Sequence, residues 1–443
     1  MNTTQTKLRT LSGWGNYPKI IGKVYEPENE QEIIKFTKTN EKSLLARGGG
    51  TSYGSASLNG EGVTVDTNSL NKILSFDTKS GILHCQSGVT LHDIIKSFHS
   101  RGWFLNVTPG TKRATVGGCV ACDAHGKNWK AGSFCNFVIG INLVLHDGSI
   151  VYCDDKENPD LFHATFGGMG ITGIILDVLF KLKKVNSSYL DVETIRFNSL
   201  KELFDLQNET MDSHEYLFSW LDSHKKGNNM GRGVLQRANH SKKIELIYKT
   251  KKAIQVPYMP NFTINRYSVR AFNNTYYLAV GKTIKKNEMY ITDFFYPLDG
   301  LANWNRLYGR NGFVEYQIVI PSALAYETIF ELLSIITRSK LGSFIAAIKP
   351  LSKSLGLLSF PIDGVTFAID FAYNQNLWHL LDKLDAIVIE SGGRVYLAKD
   401  ARLNAKNFKE MYSDSLDKLE AVREKYHTKN KFESMMFNRL CKA

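Results

Sequence analysis

Proline is scarce in this chain, 10 residues among 443, and neither an internal repeat nor a low-complexity tract runs through it. Disordered linkers and repeat arrays are therefore not expected. Cysteine is sparse too: Cys85, Cys119, Cys122, Cys135, Cys153 and Cys441 lack the even framework of a secreted disulfide scaffold. Cys119-Val-Ala-Cys122 has the spacing of a metal or redox pair, but no second Cys or His pair completes a zinc site, so no metal is expected. The longest apolar runs, Ile139 to Leu145 and Ile171 to Leu179, fall well short of the ~20 residues of a membrane-spanning helix. Met1 to Thr10 is polar and lacks the apolar stretch of a secretory leader, which predicts a cytoplasmic protein. Acidic residues are outnumbered, 43 against 55, for a formal charge of +12. Such a balance suits nucleic acid, an anionic lipid surface, an acidic substrate, or simply a basic solvated exterior. The lysines fall in scattered pairs (Lys183-Lys184, Lys225-Lys226, Lys242-Lys243, Lys251-Lys252, Lys285-Lys286) and form no nucleic-acid module, so nucleic acid is not expected as a partner.

Glycine, by contrast, is frequent (35 residues), which suits tight turns beside a ligand. The length argues for two domains, and 43% hydrophobic with 22% charged residues is a globular composition. From Leu11 to Lys184 short β-like runs alternate with helical ones. Helices are predicted over Pro27 to Thr39, Thr90 to Arg101 and Asn158 to Phe166. Strands are predicted at Leu44 to Arg47, Val63 to Asp66, Ile82 to Ser87, Val138 to Leu145, Ile150 to Tyr152 and Gly173 to Leu182. A second texture, Ser188 to Gly393, carries longer elements at Tyr290 to Tyr296, Gly312 to Ile320, Phe344 to Lys349 and Val365 to Phe371, with a helix from Ala323 to Ser339. That alternation predicts a mostly antiparallel sheet flanked by helices. Lys225 to Lys286, polar and weakly periodic, reads as mobile loops, and Asn404 to Leu440 as helical.

Gly168-Met-Gly170-Ile-Thr-Gly173 is formally a dinucleotide fingerprint, but a helix precedes it and a strand follows, the reverse of what a pyrophosphate site needs. Two separated glycine passages are more informative. The first, Arg47-Gly48-Gly49-Gly50-Thr51-Ser52-Tyr53-Gly54, follows a strand, and consecutive glycines let backbone N–H groups converge on an anion of any kind. The second runs from Pro109-Gly110-Thr111 through Thr115-Val-Gly117-Gly118 to Asp123-Ala-His125-Gly126-Lys127-Asn128. Two cradles suggest one long ligand.

Together these passages resemble the FAD-binding domain of the vanillyl-alcohol oxidase / p-cresol methylhydroxylase (PCMH-type) superfamily. Leu11-Ser-Gly-Trp-Gly15, Gly312-Phe-Val-Glu-Tyr-Gln317, Leu358-Ser-Phe-Pro-Ile362 and Gly393-Arg-Val-Tyr-Leu-Ala-Lys399-Asp-Ala-Arg402 narrow the resemblance to decaprenylphosphoryl-β-D-ribose 2′-oxidases, the flavin subunits of the 2′-epimerases that make a bacterial cell-wall arabinose donor. The resemblance spans nearly the whole chain and is weakest over Lys225 to Lys286. It implies an α+β fold: a PCMH-type two-subdomain FAD-binding domain over 1–187, a substrate-binding domain over 188–393, and a C-terminal segment, 394–443, returning to the FAD domain.

For the site, the resemblance implies FAD held by Arg47, Gly48, Gly49, Gly50, Thr51, Ser52, Tyr53 and Gly54 at the diphosphate, by Gly110, Thr115, Gly117, Gly118, Cys122, Asp123 and His125 along the adenine side and the isoalloxazine, and by Tyr396 at the flavin edge. Many relatives bind the flavin covalently through a histidine where this chain has Thr51, so the FAD is expected to be non-covalent. Lys399 and His125 are the implied catalytic residues, with Lys399 taking the hydroxyl proton as hydride passes to flavin N5. The plain alternative for Lys399 is a pairing with Asp400. Lys127, Tyr308, Gln317 and Lys349 are implied at the substrate, the lysines suiting its phosphate. Two positions depart from the pattern: Glu315 replaces a second glutamine, and Ala368 stands where the mycobacterial member has a cysteine.

The implied reaction is oxidation of the C2 hydroxyl of a polyprenyl-phosphate-linked pentose to a keto sugar, the first half of an epimerisation. Implied partners are that lipid-linked sugar phosphate, a short-chain reductase, and a quinone or other electron acceptor. A peripheral contact with the inner membrane would run through Tyr258, Phe262, Tyr267, Phe272, Tyr276 and Tyr277; the alternative for these aromatics is a place in the core of the substrate domain. Oxidation of a free sugar, aldonolactone or alditol is the first alternative, and a non-catalytic flavoprotein binding a lipid-linked sugar the second.

Overall fold

A computed structural model describes residues 6–441. The helix Glu30–Thr39 shows how the sequence sets the local structure. Asn29 caps its first turn by accepting from the Glu32 N–H, Glu30 and Glu32 place negative charge at that end, and Ile33, Phe36 and Thr37 face inward. The helix joins strands of a four-stranded sheet ordered Lys7–Ser12, Lys19–Tyr25, Val63–Asp66, Leu44–Arg47; the first pair is antiparallel and the others parallel. Beside it lies a five-stranded antiparallel sheet, in the order Ile73–Phe76, Ile82–Gln86, Ile174–Lys181, Val138–Val144, Ile150–Cys153. A shared core of Tyr25, Phe36, Leu44, Val65, Ile174 and Leu176 joins the two sheets.

An eight-stranded antiparallel sheet follows, ordered Lys285–Tyr290, Tyr189–Phe197, Gly233–His240, Tyr216–Leu221, Ala346–Leu351, Gly364–Ala372, Phe313–Pro321, Arg394–Val395. Helices Leu200–Thr210, Ala325–Ser339 and Leu377–Glu390 pack side by side against it. The architecture is thus the α+β, PCMH-type arrangement expected from the sequence, with a large antiparallel sheet flanked by helices. Toward its C-terminus the chain returns to the first sheet: Leu44 N–H donates to the Lys431 carbonyl, Glu433 N–H to that of Leu44, and Met435 N–H to that of Leu58.

Two expectations need correction. Lys225 to Lys286 is not a run of loops: Gly233–His240 is an interior strand of the large sheet, and Arg266–Ala279 is a helix capped by Asn265. The strand's polar residues hid it, because its order comes from pairing with a strand on either side rather than from its own pattern. Tyr277 is also not a surface aromatic. It is 5% exposed, with the Arg232 and Arg196 guanidinium groups over its ring, whereas Tyr258, Phe262, Tyr267, Phe272 and Tyr276 are exposed. The false fingerprint falls between helix Pro159–Thr165 and strand Ile174–Lys181, helix first as the sequence indicated. Among the described residues no helix is long and apolar enough to cross a membrane.

Candidate active site

Strand Leu44–Arg47 ends in the first glycine loop, and three bonds from the Arg47 side chain fix it: to the Ser57 carbonyl (3.2 Å), to Ser57 Oγ (2.8 Å) and to the Ser12 carbonyl (2.7 Å). The second passage is tied to the end of strand Ile82–Gln86, with Val116 N–H donating to the Val89 carbonyl (2.9 Å) and Gly117 N–H to that of Ser87 (2.8 Å). The two passages cross so closely that a Cβ on Gly48 would lie 2.2 Å from Thr115 Oγ1, and one on Gly49 2.6 Å from the Arg113 carbonyl. Glycine is required at both positions by this approach. Asp299 clamps the second passage from across the cleft, accepting from Thr111 Oγ1 (2.7 Å) and the Lys112 N–H (2.9 Å).

The cavity between the passages, about 360 Å³, extends to the large sheet. There Lys399 Nζ lies 2.9 Å from Glu315 Oε2 and 3.3 Å from the centre of the Tyr53 ring. Asp400 pairs instead with Arg439, so the pairing with Asp400 considered for Lys399 is absent. Gln317 Nε2 donates to His125 Nε2 (3.0 Å) and to Thr366 Oγ1 (3.1 Å). Lys349 Nζ donates to the Gly126 carbonyl (2.8 Å), and Tyr396 Oη to that of Cys122 (2.9 Å). Lys127 donates to the Phe294 carbonyl and sits over the Phe218 and Phe294 rings. Asp370 lies directly opposite Glu315 across paired strands, which puts both carboxyl groups on one face.

Burial sets the charge states in this wall. It pushes His125 well below the ordinary histidine value, with the Lys349 and Lys399 charges adding to the effect, so the imidazole is neutral. Lys127 and Lys349 are lowered to about 7, first by burial and then by a neighbouring lysine in each case. The Asp370 carboxyl is pushed well up by burial and by Glu315 beside it.

All the expected residues line the cavity except Gly54, Asp123 and Tyr308. Gly54 is a packing glycine, where a Cβ would run into the Asp400 carbonyl at 1.7 Å. Asp123 is buried behind the wall with φ +44, its carboxylate beside the Cys135 thiol. Tyr308 stands behind Asp370, its Oη donating to Asp370 Oδ2 at 3.5 Å and its ring stacked on Phe313 and Phe344. Sequence reasoning missed Ser87, Asp299, Thr366 and Asp370 in the lining. Glu315 was noted only as a substitution, although its spacing of two from Gln317 places it on the same strand face.

FAD fits these residues. Ser87 Oγ, His125 Nδ1 and Asp370 Oδ1, all on lining residues, are buried without a hydrogen-bond partner among the described residues, as expected where a polar ligand completes the set. The long groove, open at two glycine crossings, leaves its backbone free to meet a diphosphate.

Comparison with known proteins agrees. Residues 18–154 match the family model described as an FAD binding domain. The chain is 32% identical to decaprenylphosphoryl-β-D-ribose oxidase of Mycolicibacterium smegmatis, over 99% of each chain. L-gulonolactone oxidase of Mus musculus is 25% identical over 46% of this chain and 44% of its own. D-lactate dehydrogenase of Archaeoglobus fulgidus is 31% identical over 36% and 38%.

Proposed function

The chain belongs to the family of FAD-dependent oxidoreductases that includes decaprenylphosphoryl-β-D-ribose oxidase, and from that premise we propose that it oxidises the C2 hydroxyl of a polyprenyl-phosphate-linked pentose to a keto sugar. The observation that carries this reading is the extent of the likeness. The ribose oxidase matches over 99% of both chains, the large antiparallel sheet included, whereas the lactone oxidase matches over less than half of either. When bound, FAD supplies the two-electron acceptor for converting a carbinol into a carbonyl.

The chain's own residues set up the rest. Arg47 to Tyr53 and Gly110, Thr115, Gly117 and Gly118 would hold the cofactor, and Cys122 and Tyr396 would bound its ring. Lys399, placed by Glu315 and Tyr53, presents a cation where a hydroxyl oxygen gains negative charge as its proton leaves. Neutral His125, oriented by Gln317, offers Nδ1 as a neutral hydrogen-bonding group. Lys127 suits the substrate's phosphate, and Lys349 lines the same cavity nearer His125 and Gln317. FAD is held without a covalent bond in this reading. Thr51 carries no group that could make one, and His125 is the only histidine among the lining residues described.

The keto sugar so formed calls for a short-chain reductase to complete epimerisation, and the reduced cofactor for a quinone or similar acceptor. The exposed aromatics Tyr258, Phe262, Tyr267, Phe272 and Tyr276, among basic residues, would rest on the inner membrane. Anaerobic mixing of the purified holoenzyme with a panel of alcohols tests the reading. Flavin bleaching is expected with polyprenylphosphoryl ribose. Bleaching only by a free sugar, aldonolactone or alditol would contradict it and install the alternative substrate class.

A further inference from the structure

Two lysines on one cavity wall stand in opposite electrical situations. Lys399 is ion-paired with Glu315 at 2.9 Å, and an ammonium so engaged has no lone pair with which to accept a proton. Lys349 forms no ion pair among the described residues; its one acceptor is the Gly126 carbonyl, a neutral group, at 2.8 Å. Its position follows from the strand register. Lys349 is the cross-strand partner of Thr366, and Thr366 Oγ1 accepts from Gln317, which in turn bonds His125. Lys349, Gln317 and His125 therefore present their polar ends to the same stretch of the cavity.

We propose that Lys349 is the proton acceptor of the reaction, receiving the proton of the hydroxyl being oxidised, while Lys399 remains the fixed cation beside that oxygen. The proposal rests on the functional reading above only in requiring that an alcohol be oxidised. The O–H bond breaks and a new N–H bond forms on Lys349 Nζ. The electron pair left on oxygen makes the C=O bond as the carbinol hydrogen departs with its own pair, the two electrons going to the acceptor that FAD supplies. Burial, then the Lys399 charge, lowers Lys349 to about 7, so a large share of molecules hold it neutral near neutral pH. The ionisable groups that face it are Glu315, two strands away in the same sheet, His125 and Lys127 on the second glycine passage, and Lys399 after the last strand.

The test has one arm in kinetics and one without turnover. In the wild-type holoenzyme the rate of flavin reduction should rise with pH through about 7. Lys349→Met should keep its FAD, lose that limb and fall ~100-fold or more, with partial rescue by added methylamine. Should Lys349→Met not fold, Lys349→Arg serves: it keeps a charge and a donor toward Gly126 but does not give up its proton in this range. In the other arm, pulse acetylation of substrate-free holoenzyme, read by peptide mass spectrometry, should label Lys349 with a half-point near pH 7. The assignment is overturned if the variants keep the limb and reduce within a few-fold of wild type, or if Lys349 labels only in strongly alkaline solution. A wild type bleached by a free alditol rather than a lipid-linked pentose faults the substrate reading alone. The profile is then taken with that alditol, and labelling needs no substrate.

Discussion

Lys127, Lys349 and Lys399 look alike in a sequence, yet one sits over two aromatic rings, one against a backbone carbonyl and one against a carboxylate. Charge state follows from those surroundings, which motif matching does not supply. What the sequence did reveal at this scale was backbone. The glycines at 48, 49 and 117 are legible because only glycine tolerates such close approaches, and all three line the cavity. Tyr308 was expected in the pocket only because the family resemblance implies it there; the structure puts it behind Asp370. A direct consequence concerns Gly48, whose Cβ would meet Thr115 Oγ1 at 2.2 Å. Gly48→Val should fold but purify colourless, and the ratio of flavin to protein absorbance checks this. Full FAD occupancy in that variant would mean the crossing of the two passages does not form the cofactor's seat.

Among the elements, those with a strong internal pattern were readable: helix Glu30–Thr39 with its cap, strand Val138–Val144, and helix Ala325–Ser339. Gly233–His240 was not, because its sequence GVLQRANH is ordered by neighbours at Tyr189–Phe197 and Tyr216–Leu221. Its start is held by Arg232, 7% exposed, whose guanidinium pairs with buried Asp222 at 2.9 Å and bonds Asn274. Removing the partner leaves a buried charge uncompensated, so Asp222→Ala should lower stability by about 3–5 kcal/mol. Denaturant unfolding followed by tryptophan fluorescence measures this. A loss below about 1 kcal/mol, the range of an exposed pair, would show that water reaches the arginine.

Over the whole molecule, a +12 chain buries several of its cations, and that has a pH signature. Lys127 is held at about 7 when folded against an ordinary 10.5, so between those values the unfolded chain binds more protons than the folded one. Stability therefore rises with pH across that window and is lowest below it, where the lysine is charged in both states. The rise should be shallower in Lys127→Met, as read from apoprotein unfolding midpoints at pH 7 and 9; an unchanged slope would mean Lys127 is charged in the fold. The antiparallel sheet with its flanking helices was legible at this scale from alternation and texture, while the Lys399–Glu315 pair was not, since it joins residues 84 apart. The central claim, oxidation at C2 of a lipid-linked pentose, is tested most directly by anaerobic stopped-flow reduction with polyprenylphosphoryl ribose carrying deuterium at C2. The account predicts flavin bleaching that is markedly slower than with the protiated substrate. Bleaching at the same rate with both, or none with either, would contradict it.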